Sequence, residues 1–215
     1  MQDNWLIIAN GEPVPSDIIK KNASKKKILV CDGAIDALHD MLTSIDIVLG
    51  DGDSISPITQ QTLINSSTTK YCPADNQNFS DLEKAIHYVD NQQAISITLM
   101  GALGGRLDHS LYNLRLLKRY HQEKRPITLL NHNETITYHR NESVNIKNKK
   151  GHRLSIMGFD QAIVNSTDVL YPLTHQLIDN HQPDSLSNQL ISHNAHLNIE
   201  GYAIIVLENK TIICF

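Results

Sequence analysis

Cysteine is scarce in this chain, and the cysteines that are present do not form a framework. Cys31, Cys72 and Cys214 are odd in number, far apart and outside any metal-ligand spacing. A disulfide-rich fold or a zinc module would need paired or regularly spaced cysteines. The histidines are scattered and include no HExxH pattern, so they give no support to a zinc site either. We therefore expect free thiols in a reducing, cytoplasmic environment.

Long apolar runs and an excess of positive charge are also missing. The apolar run at 5–9 is too short for a signal peptide or a membrane span, and no basic segment precedes it. The formal net charge is -4, and the lysines at 25–27 and 147–150 are more simply interpreted as solvated loops than as a nucleic-acid surface. We expect a soluble protein whose partners are small molecules, and neither nucleic acid nor a membrane.

Short apolar segments do alternate with helical patterns over the first 130 residues. The strand candidates are 5–9, 28–31, 46–49, 68–71, 95–100 and 127–130. Several are apolar throughout, as in strands buried on both faces of a parallel sheet. Helical spacing occurs at Leu82, Ala85, Ile86 and Val89, and again at Leu111, Leu114 and Leu117. Ser80 and Glu83 predict a capping box that starts the first of these helices. The predicted fold class is α/β, a doubly wound, mostly parallel sheet with helices on both faces.

The pattern changes after about residue 131. Short alternating segments follow at 134–138, 143–146, 153–159, 169–173, 185–191, 196–199, 203–207 and 211–215. Such a series is typical of an antiparallel sandwich or barrel. We therefore predict two domains: an α/β catalytic domain at 1–130, and a small C-terminal antiparallel β-sandwich at 131–215.

One motif with chemical potential, Gly50-Asp51-Gly52-Asp53-Ser54, directly follows the strand candidate 46–49. Ligands of open α/β sheets bind beyond the carboxyl ends of the strands. Carboxylates at i and i+2 of an extended chain point the same way, and oxygen ligands of this kind hold Mg²⁺ beside substrate phosphates. For this motif alone a simple turn is the more common interpretation.

A second motif, Asn76-Gln77-Asn78-Phe79-Ser80-Asp81, leads from a loop into the first predicted helix. Asp81 falls in the first turn, where the helix dipole favours a negative charge, and this structural role suffices to explain it. Gln77, in the preceding loop, is a candidate ligand contact.

The third motif, Gly101 to His109, follows the strand candidate 95–100 and contains Gly104, Gly105, Arg106 and Asp108. Glycines at such a junction allow close approach to a ligand, and amides at a helix start attract phosphate. Arg106 can bind phosphate oxygens in a fork. The motif is neither a Walker A loop nor a dinucleotide fingerprint. Acids and one arginine after several strands together predict magnesium-dependent phosphoryl transfer.

In chain order, these motifs resemble the thiamine pyrophosphokinase family. The resemblance also includes Ala9-Asn10-Gly11, Asp32-Gly33-Ala34, Tyr171-Pro172-Leu173 and Ser185-Leu186-Ser187-Asn188. It covers nearly the whole chain and implies that the pyrophosphoryl group of ATP passes to the hydroxyl of thiamine, giving thiamine diphosphate and AMP. It further implies an α/β domain, a C-terminal β-sandwich, and a homodimer with active sites at the interface.

The resemblance also assigns roles to residues. It implies metal binding by Asp51, Asp53, Asp81 and Asp108. Contacts to ATP and its phosphates are implied for Gln77, Ser80, Gly104, Gly105 and Arg106. Catalytic roles are implied for Asp81, Asp108 and Arg106. Thiamine contacts are implied for Asp32, Ser187 and Asn188.

Four positions depart from the family pattern or from its usual residues. Gly52 replaces a larger apolar residue, Asn76 replaces an acid, Ser80 replaces threonine but keeps the hydroxyl, and Asp36 stands where asparagine is usual. The single tryptophan, Trp5, lies in the first strand, where we expect it in the core. Two other functions stay open: a pyrophosphokinase acting on a pterin alcohol, and a non-catalytic regulator that binds thiamine or a nucleotide.

Overall fold

The computed structural model describes residues 3–74, 76 and 78–209. None of the helices in this part of the chain is long and apolar enough to cross a membrane. The contacts divide the chain between Asn131 and His132 into an N-terminal and a C-terminal unit, each compact in itself.

The N-terminal unit alternates strands and helices along its whole length. Its strands are β1 (Asn4–Ile8), β2 (Lys27–Cys31), β3 (Ile47–Gly50), β4 (Lys70–Pro73), β5 (Ser96–Met100) and β6 (Ile127–Leu130). Its helices are α1 (Ser16–Ala23), α2 (Pro57–Ile64), α3 (Asp81–Asn91) and α4 (Leu107–Arg119), with a kinked 3₁₀ segment at Asp32–Ser44. The strand bounds lie within two residues of those predicted from the apolar runs.

These strands form a parallel sheet in the order β6-β5-β1-β2-β3-β4. The chain proceeds from β1 through β2 and β3 to β4 on one side, and from β5 to β6 on the other. The carboxyl ends of β1 and β5 therefore form a topological switch point, where a parallel sheet opens a crevice for ligands. The predicted α/β fold class is confirmed.

Apolar burial explains most of this arrangement. Trp5 is 2% exposed, as expected for a core residue. In α4, Leu117 is fully buried but Leu111 is 52% exposed, so the predicted leucine stripe is only partly buried within this chain. At the start of α3, Ser80 Oγ accepts a hydrogen bond from the Glu83 amide, as the capping prediction requires. The reciprocal half of the capping box is wrong, because the Glu83 carboxylate turns towards α4.

The C-terminal unit is antiparallel, as predicted, but three of its strands are longer than the sequence pattern indicated. They are β7 (Glu134–Lys147), β8 (Arg153–Thr167), β9 (Gln176–Asp179), β10 (Ser185–Gln189) and β11 (Asn194–Glu208). Neighbouring predicted segments merge in β7 and β11, and the register shifts within β11 near Gly201. Ile156 and Val164, from the two halves of β8, belong to one apolar core, so the whole length of the strand contributes to it.

Two segments of this unit that were predicted as strands are not among its observed strands. Residues 169–173 do not form a strand; Leu170 and Tyr171 lie in an irregular connection fixed by backbone bonds such as Leu170 N to Gln189 O. The segment 211–215 lies outside the described residues, as does Cys214.

Candidate functional site

A cleft of about 470 Å³ lies at the carboxyl edge of the parallel sheet. It is lined by the turn after β1, the loop after β3, the start of α3 and the loop from β5 into α4. The turn after β1 is fixed to the loop after β5, because Gly11 N donates to Gly101 O at 2.7 Å and Glu12 N donates to Leu103 O at 2.7 Å. The cleft therefore sits at the switch point of the sheet.

Asp51 and Asp53 line the cleft, and Asp32 is grouped with them; we call these three carboxylates the acidic side. An oxygen from each lies within 4.8 Å of the others. Asp32 follows β2 and is 2% exposed, whereas Asp51 and Asp53 are exposed in the loop after β3. A side chain on Gly50 would collide with the Asp32 carboxyl, so glycine there lets β3 pass beside it.

Burial and neighbouring charge act on Asp32 in the same direction. Desolvation raises its pKa above the ordinary value, and the charges of Asp81 and Asp51 raise it further. Hydrogen bonds from the amides of Gly52 (2.9 Å) and Gly33 (2.7 Å) oppose the shift. The acidic side thus concentrates negative charge, an arrangement that a divalent cation would relieve.

The loop that carries Asp51 and Asp53 is held by neutral donors and backbone contacts. Tyr71 donates to Gly50 O at 3.0 Å, and Gln60 donates to Gly52 O at 3.0 Å. Gly52 has φ +84°, and a Cβ added there would lie 2.7 Å from the Tyr71 hydroxyl. The departure from the family pattern at Gly52 therefore matches both the backbone conformation and the presence of Tyr71.

The end of this loop is fixed by Asp36, the second position that departs from the family pattern. Its carboxylate accepts hydrogen bonds from Ser56 N (2.9 Å) and Ser56 Oγ (2.8 Å). Ser56 is also the N-cap of α2, with Pro57 in the first turn. The pKa of Asp36 lies below its ordinary value despite partial desolvation. The largest cause is a hydrogen bond with Thr59, and the hydrogen bonds from Ser56 add to it.

The cleft is also lined by two cations, those of Lys84 and Arg106, which we call the cationic side. Lys84 donates to Asp81 Oδ1 at 2.9 Å and its side chain is 8% exposed. Burial alone would lower the Lys84 pKa, but Asp81, with Asp51 and Asp32 nearby, raises it. Lys84 is therefore a charged group that is paired with Asp81 and lies near Asp51 and Asp32 of the acidic side.

Arg106 is the N-cap residue of α4 and is exposed. Its Nε donates to Asp108 Oδ1 at 3.1 Å, and its Nη2 donates to the other carboxylate oxygen. This pairing with Arg106 holds the pKa of Asp108 at about 2. Asp108 is thus bound to an arginine and is not a member of the acidic side.

The cleft brings most of the predicted site residues together. Its lining includes Asp51, Asp53, Ser80, Asp81, Gly104, Gly105 and Arg106. Gln77 lies outside the described residues. Ser187 and Asn188 belong to β10 of the C-terminal unit, where Ser187 is exposed and has φ +56°. The Asn188 amide is 3% exposed and bonds both Tyr171 N and Tyr171 O, so it fixes the connection at Tyr171.

The sequence assigned one member of the site to another role and missed a second. Asp32 was predicted to contact thiamine, yet it groups with Asp51 and Asp53; it follows β2 just as they follow β3, so the same strand-end rule would have placed it there. Lys84 lies three residues after Asp81 on α3, a spacing at which helical side chains meet, and this signal was available in the sequence.

Comparisons with known proteins give one consistent result. The family model described as "Thiamin pyrophosphokinase, catalytic domain" matches residues 19–129. Thiamin pyrophosphokinase 1 of Caenorhabditis elegans is 28% identical over 137 residues, which are 59% of this chain and 53% of that protein. Thiamine pyrophosphokinase 1 of Arabidopsis thaliana is 37% identical over 81 residues, or 35% of this chain and 30% of that protein. These matches thus span about half or less of the curated relatives.

The whole described fold also has a solved counterpart. The crystal structure of thiamine pyrophosphokinase from Bacillus subtilis aligns with a TM-score of 0.81 at 22% identity, covering 97% of this chain and 100% of that one. At this identity the likeness bears on the fold, and the fold includes both the parallel sheet and the antiparallel C-terminal strands.

Proposed function

The chain belongs to the thiamin pyrophosphokinase family, and on this premise we propose that it transfers the pyrophosphoryl group of ATP to the hydroxyl of thiamine, giving thiamine diphosphate and AMP. The observation that carries the proposal is the cleft at the switch point, which brings the acidic side together with Lys84 and Arg106. Phosphoryl transfer depends on positioning and charge neutralisation, and these are the groups that provide both.

The acidic side fits Mg²⁺. Oxygens bound octahedrally at about 2.1 Å lie about 3 to 4.2 Å apart, so carboxylates already within 4.8 Å need only small rotations. The donor set is all oxygen and anionic, which suits a hard cation and gives a soft metal no thiolate. Asp32, Asp51 and Asp53 would hold the ion, which when bound neutralises phosphate charge.

The other residues of the cleft would bind and orient the nucleotide. Arg106 and Lys84 supply positive charge to the phosphates, and Gly104 and Gly105 line the cleft beside them. Asp81 or Asp108 is the proposed proton acceptor for the thiamine hydroxyl. While Arg106 holds it, Asp108 has a pKa of about 2 and is a weak base. Arg106 would therefore have to leave Asp108 and bind a phosphate before Asp108 could accept a proton.

The thiamine site is proposed to include the exposed Ser187 of a second subunit in a homodimer, with Asn188 of that subunit contributing by fixing the connection at Tyr171 beside it. Support for association comes from large apolar side chains exposed on the C-terminal unit: Leu170 (49%), Tyr171 (68%), Leu186 (63%) and Ile191 (49%). A cytoplasmic location is proposed from the free thiols Cys31 and Cys72. Sedimentation of the purified protein tests the dimer.

A coupled assay of AMP release tests the reaction itself. We expect AMP and thiamine diphosphate in stoichiometric amounts when ATP, Mg²⁺ and thiamine are all present, and loss of turnover when EDTA is added. Hydroxymethylpterin replaces thiamine in a parallel reaction. If AMP is released with the pterin but not with thiamine, the chain belongs to the other pyrophosphokinase class. Thiamine binding without AMP release in the presence of Mg²⁺ would make it a regulator, and either result would overturn the proposal.

A further inference from the structure

A buried carboxylate lies directly behind the cleft, on the face of α3 that the substrate site does not use. Glu83 is 0% exposed, and it does not line the cleft, although Leu82 and Lys84 on either side of it do. Successive helical residues point about 100° apart, so Lys84 faces the cleft while Glu83 faces α4. An acid is rarely buried in this way unless its oxygens are fully bonded.

The partners of Glu83 all come from α4 and its C-terminal end. Arg119 Nη1 and Tyr120 Oη each donate to Glu83 Oε1 at 2.7 Å, and Tyr112 Oη donates to Oε2. Burial by itself would raise the Glu83 pKa, but the hydrogen bonds from Tyr112, Arg119 and Tyr120 outweigh it and lower that pKa. The carboxylate is therefore an ionised anion that ties α3 to α4.

The same two helices carry the polar groups of the cleft. The start of α3 provides Ser80, Asp81 and Lys84, and the start of α4 provides Arg106 and His109. Lys84 and Arg106, which form the cationic side, are thus on different helices. Their separation depends on how α3 packs against α4, and Glu83 is the anion at that contact.

A second branch extends from this network to the rim of the cleft. The Tyr120 hydroxyl lies 2.7 Å from His87 Nε2, and the His87 ring packs against Phe79 with centroids 5.0 Å apart. Phe79 lines the cleft in the residues just before α3. Since Tyr120 donates its single proton to Glu83, it accepts one from His87. The network therefore fixes Phe79 as well as the two helices.

We propose that Glu83 is a positioning residue for the nucleotide end of the cleft, holding Lys84 on α3 and Arg106 on α4 at the separation that the phosphates require. The inference rests on the proposed function. It differs from a purely structural role, which would change the amount of folded enzyme and not the properties of each folded molecule. Misplacement of a binding group by about 1 Å can cost on the order of 100-fold in rate.

Glu83→Gln tests the proposal, because it preserves shape but places an amide N–H₂ among three donors. The matched control is Asp90→Asn. Asp90 lies on the same helix, about 10 Å further along, and its Oδ1 lies 3.1 Å from Nη2 of Arg125, a buried arginine just after α4. Both variants remove an ion pair between α3 and the region of α4, but only Glu83 adjoins the cleft.

Both variants are expected to lower the melting temperature. At a temperature below the melting transitions of both variants, Glu83→Gln is expected to raise KM for Mg·ATP and to lower kcat. The combined loss in kcat/KM is expected to be about 10- to 100-fold, with KM for thiamine unchanged. Asp90→Asn is expected to leave all three near wild type. Equal kinetic constants in the two variants would overturn the inference.

Two further measurements keep the inference falsifiable if Glu83→Gln does not fold. Tyr120→Phe removes one donor and is expected to change KM for Mg·ATP in the same direction, by about 3- to 10-fold; an unchanged KM contradicts the proposal. Binding of Mg²⁺ with α,β-methylene-ATP, measured calorimetrically, gives a readout without turnover. If the wild type binds this analogue but releases no AMP with thiamine, the proposed function fails while weaker binding by Tyr120→Phe still supports the positioning role.

Discussion

The acidic side and the cationic side of the cleft are held in place by different kinds of contact. The acidic side is set in place by backbone amides and neutral donors: Gly52 N bonds Asp32, and Tyr71 and Gln60 bond the backbone of the loop after β3. The cationic side is held by ion pairs, Lys84 with Asp81 and Arg106 with Asp108. On the acidic side three carboxylates are grouped within 4.8 Å of one another, whereas on the cationic side each cation is paired with an acid of its own helix or helix start.

This difference bears on how the site would work. A bound cation would meet carboxylates already grouped, so little rearrangement would oppose binding. A phosphate arriving at Lys84 or Arg106 would have to compete with an acid that is already bound. That competition frees Asp81 or Asp108 only when the nucleotide is in place, which would couple nucleotide binding to the availability of a proton acceptor.

The largest effect is expected on the acidic side, from Asp53→Asn. Loss of one carboxylate removes several kcal/mol of metal-based charge stabilisation, so kcat/KM is expected to fall by about 100-fold or more. Because Asp53 is exposed among like charges, the melting temperature is expected to remain unchanged or to rise. AMP release over a range of Mg²⁺ concentrations measures the first quantity and thermal unfolding the second.

Asp17→Asn is the control for this change, since Asp17 is an exposed acid in the first turn of α1. It is expected to keep full activity. If purified, folded Asp53→Asn had near-normal activity at low Mg²⁺, the assignment of the acidic side to the metal would be lost.

On the cationic side, Arg106→Gln is expected to reduce kcat/KM for Mg·ATP by about 10- to 100-fold, the value of a charge-assisted hydrogen bond to phosphate. Arg115→Gln, an exposed arginine on the same helix, serves as the control. A smaller loss than on the acidic side would agree with a cation that must first leave Asp108. No difference between the two variants would mean that Arg106 serves only to hold Asp108.

Local spacing is sufficient to predict Asp51 and Asp53 of the acidic side, whereas on the cationic side it indicates only the contact of Lys84 with Asp81. Asp51 and Asp53 sit two residues apart after an apolar strand, and local spacing is sufficient to place them at the sheet edge. Pairing of Arg106 with Asp108 depends on rotamers at the start of α4, and no spacing rule distinguishes an arginine facing phosphate from one facing its neighbour. Glu83 shows the same limit: its spacing from Ser80 predicted a cap, but tertiary contacts with Tyr112 and Arg119 took its side chain away.

The strands of the two units also differ in how well the sequence predicted them. Apolar runs such as 28–31 and 95–100 were sufficient to place the parallel strands, because burial on both faces leaves a strong local pattern. In the C-terminal unit, the sequence predicted separate strands at 196–199 and 203–207, whereas β11 runs through both with a bend near Gly201. A bend and a chain break produce the same interruption in an alternating pattern, so only long-range pairing separates them.

An intermediate effect is expected from the fit between Gly52 and Tyr71 on the acidic side. Gly52→Ala places a side chain at φ +84° and 2.7 Å from the Tyr71 hydroxyl, and is expected to cost about 1–2 kcal/mol of unfolding free energy. Tyr71→Phe removes the hydrogen bond to Gly50 O, at about 1 kcal/mol. Both are expected to raise the Mg²⁺ concentration needed for half-maximal activity.

The double variant separates backbone strain from steric conflict in this pair. If the hydroxyl is what excludes a side chain at 52, Gly52→Ala will cost less in the Tyr71→Phe background than in wild type, a coupling seen by denaturant unfolding. Strictly additive free energies would mean that the backbone conformation alone demands glycine.

The smallest effect is expected from Asp36→Asn, at the far end of the same loop. Losing charge-assisted bonds from Ser56 is expected to lower the melting temperature at pH 7 by about 3 °C. Asp40→Asn is the control, since the Asp40 pair with Lys20 is exposed and contributes little. Because the pKa of Asp36 lies below its ordinary value in the folded protein, its stabilisation is complete above the unfolded pKa of about 3.9 and is lost as the pH falls through the folded pKa. The difference between wild type and Asp36→Asn should therefore shrink in melting curves recorded from pH 5 down to pH 3. A difference that stays constant over this range would show that shape, and not the charge of Asp36, anchors the loop of the acidic side.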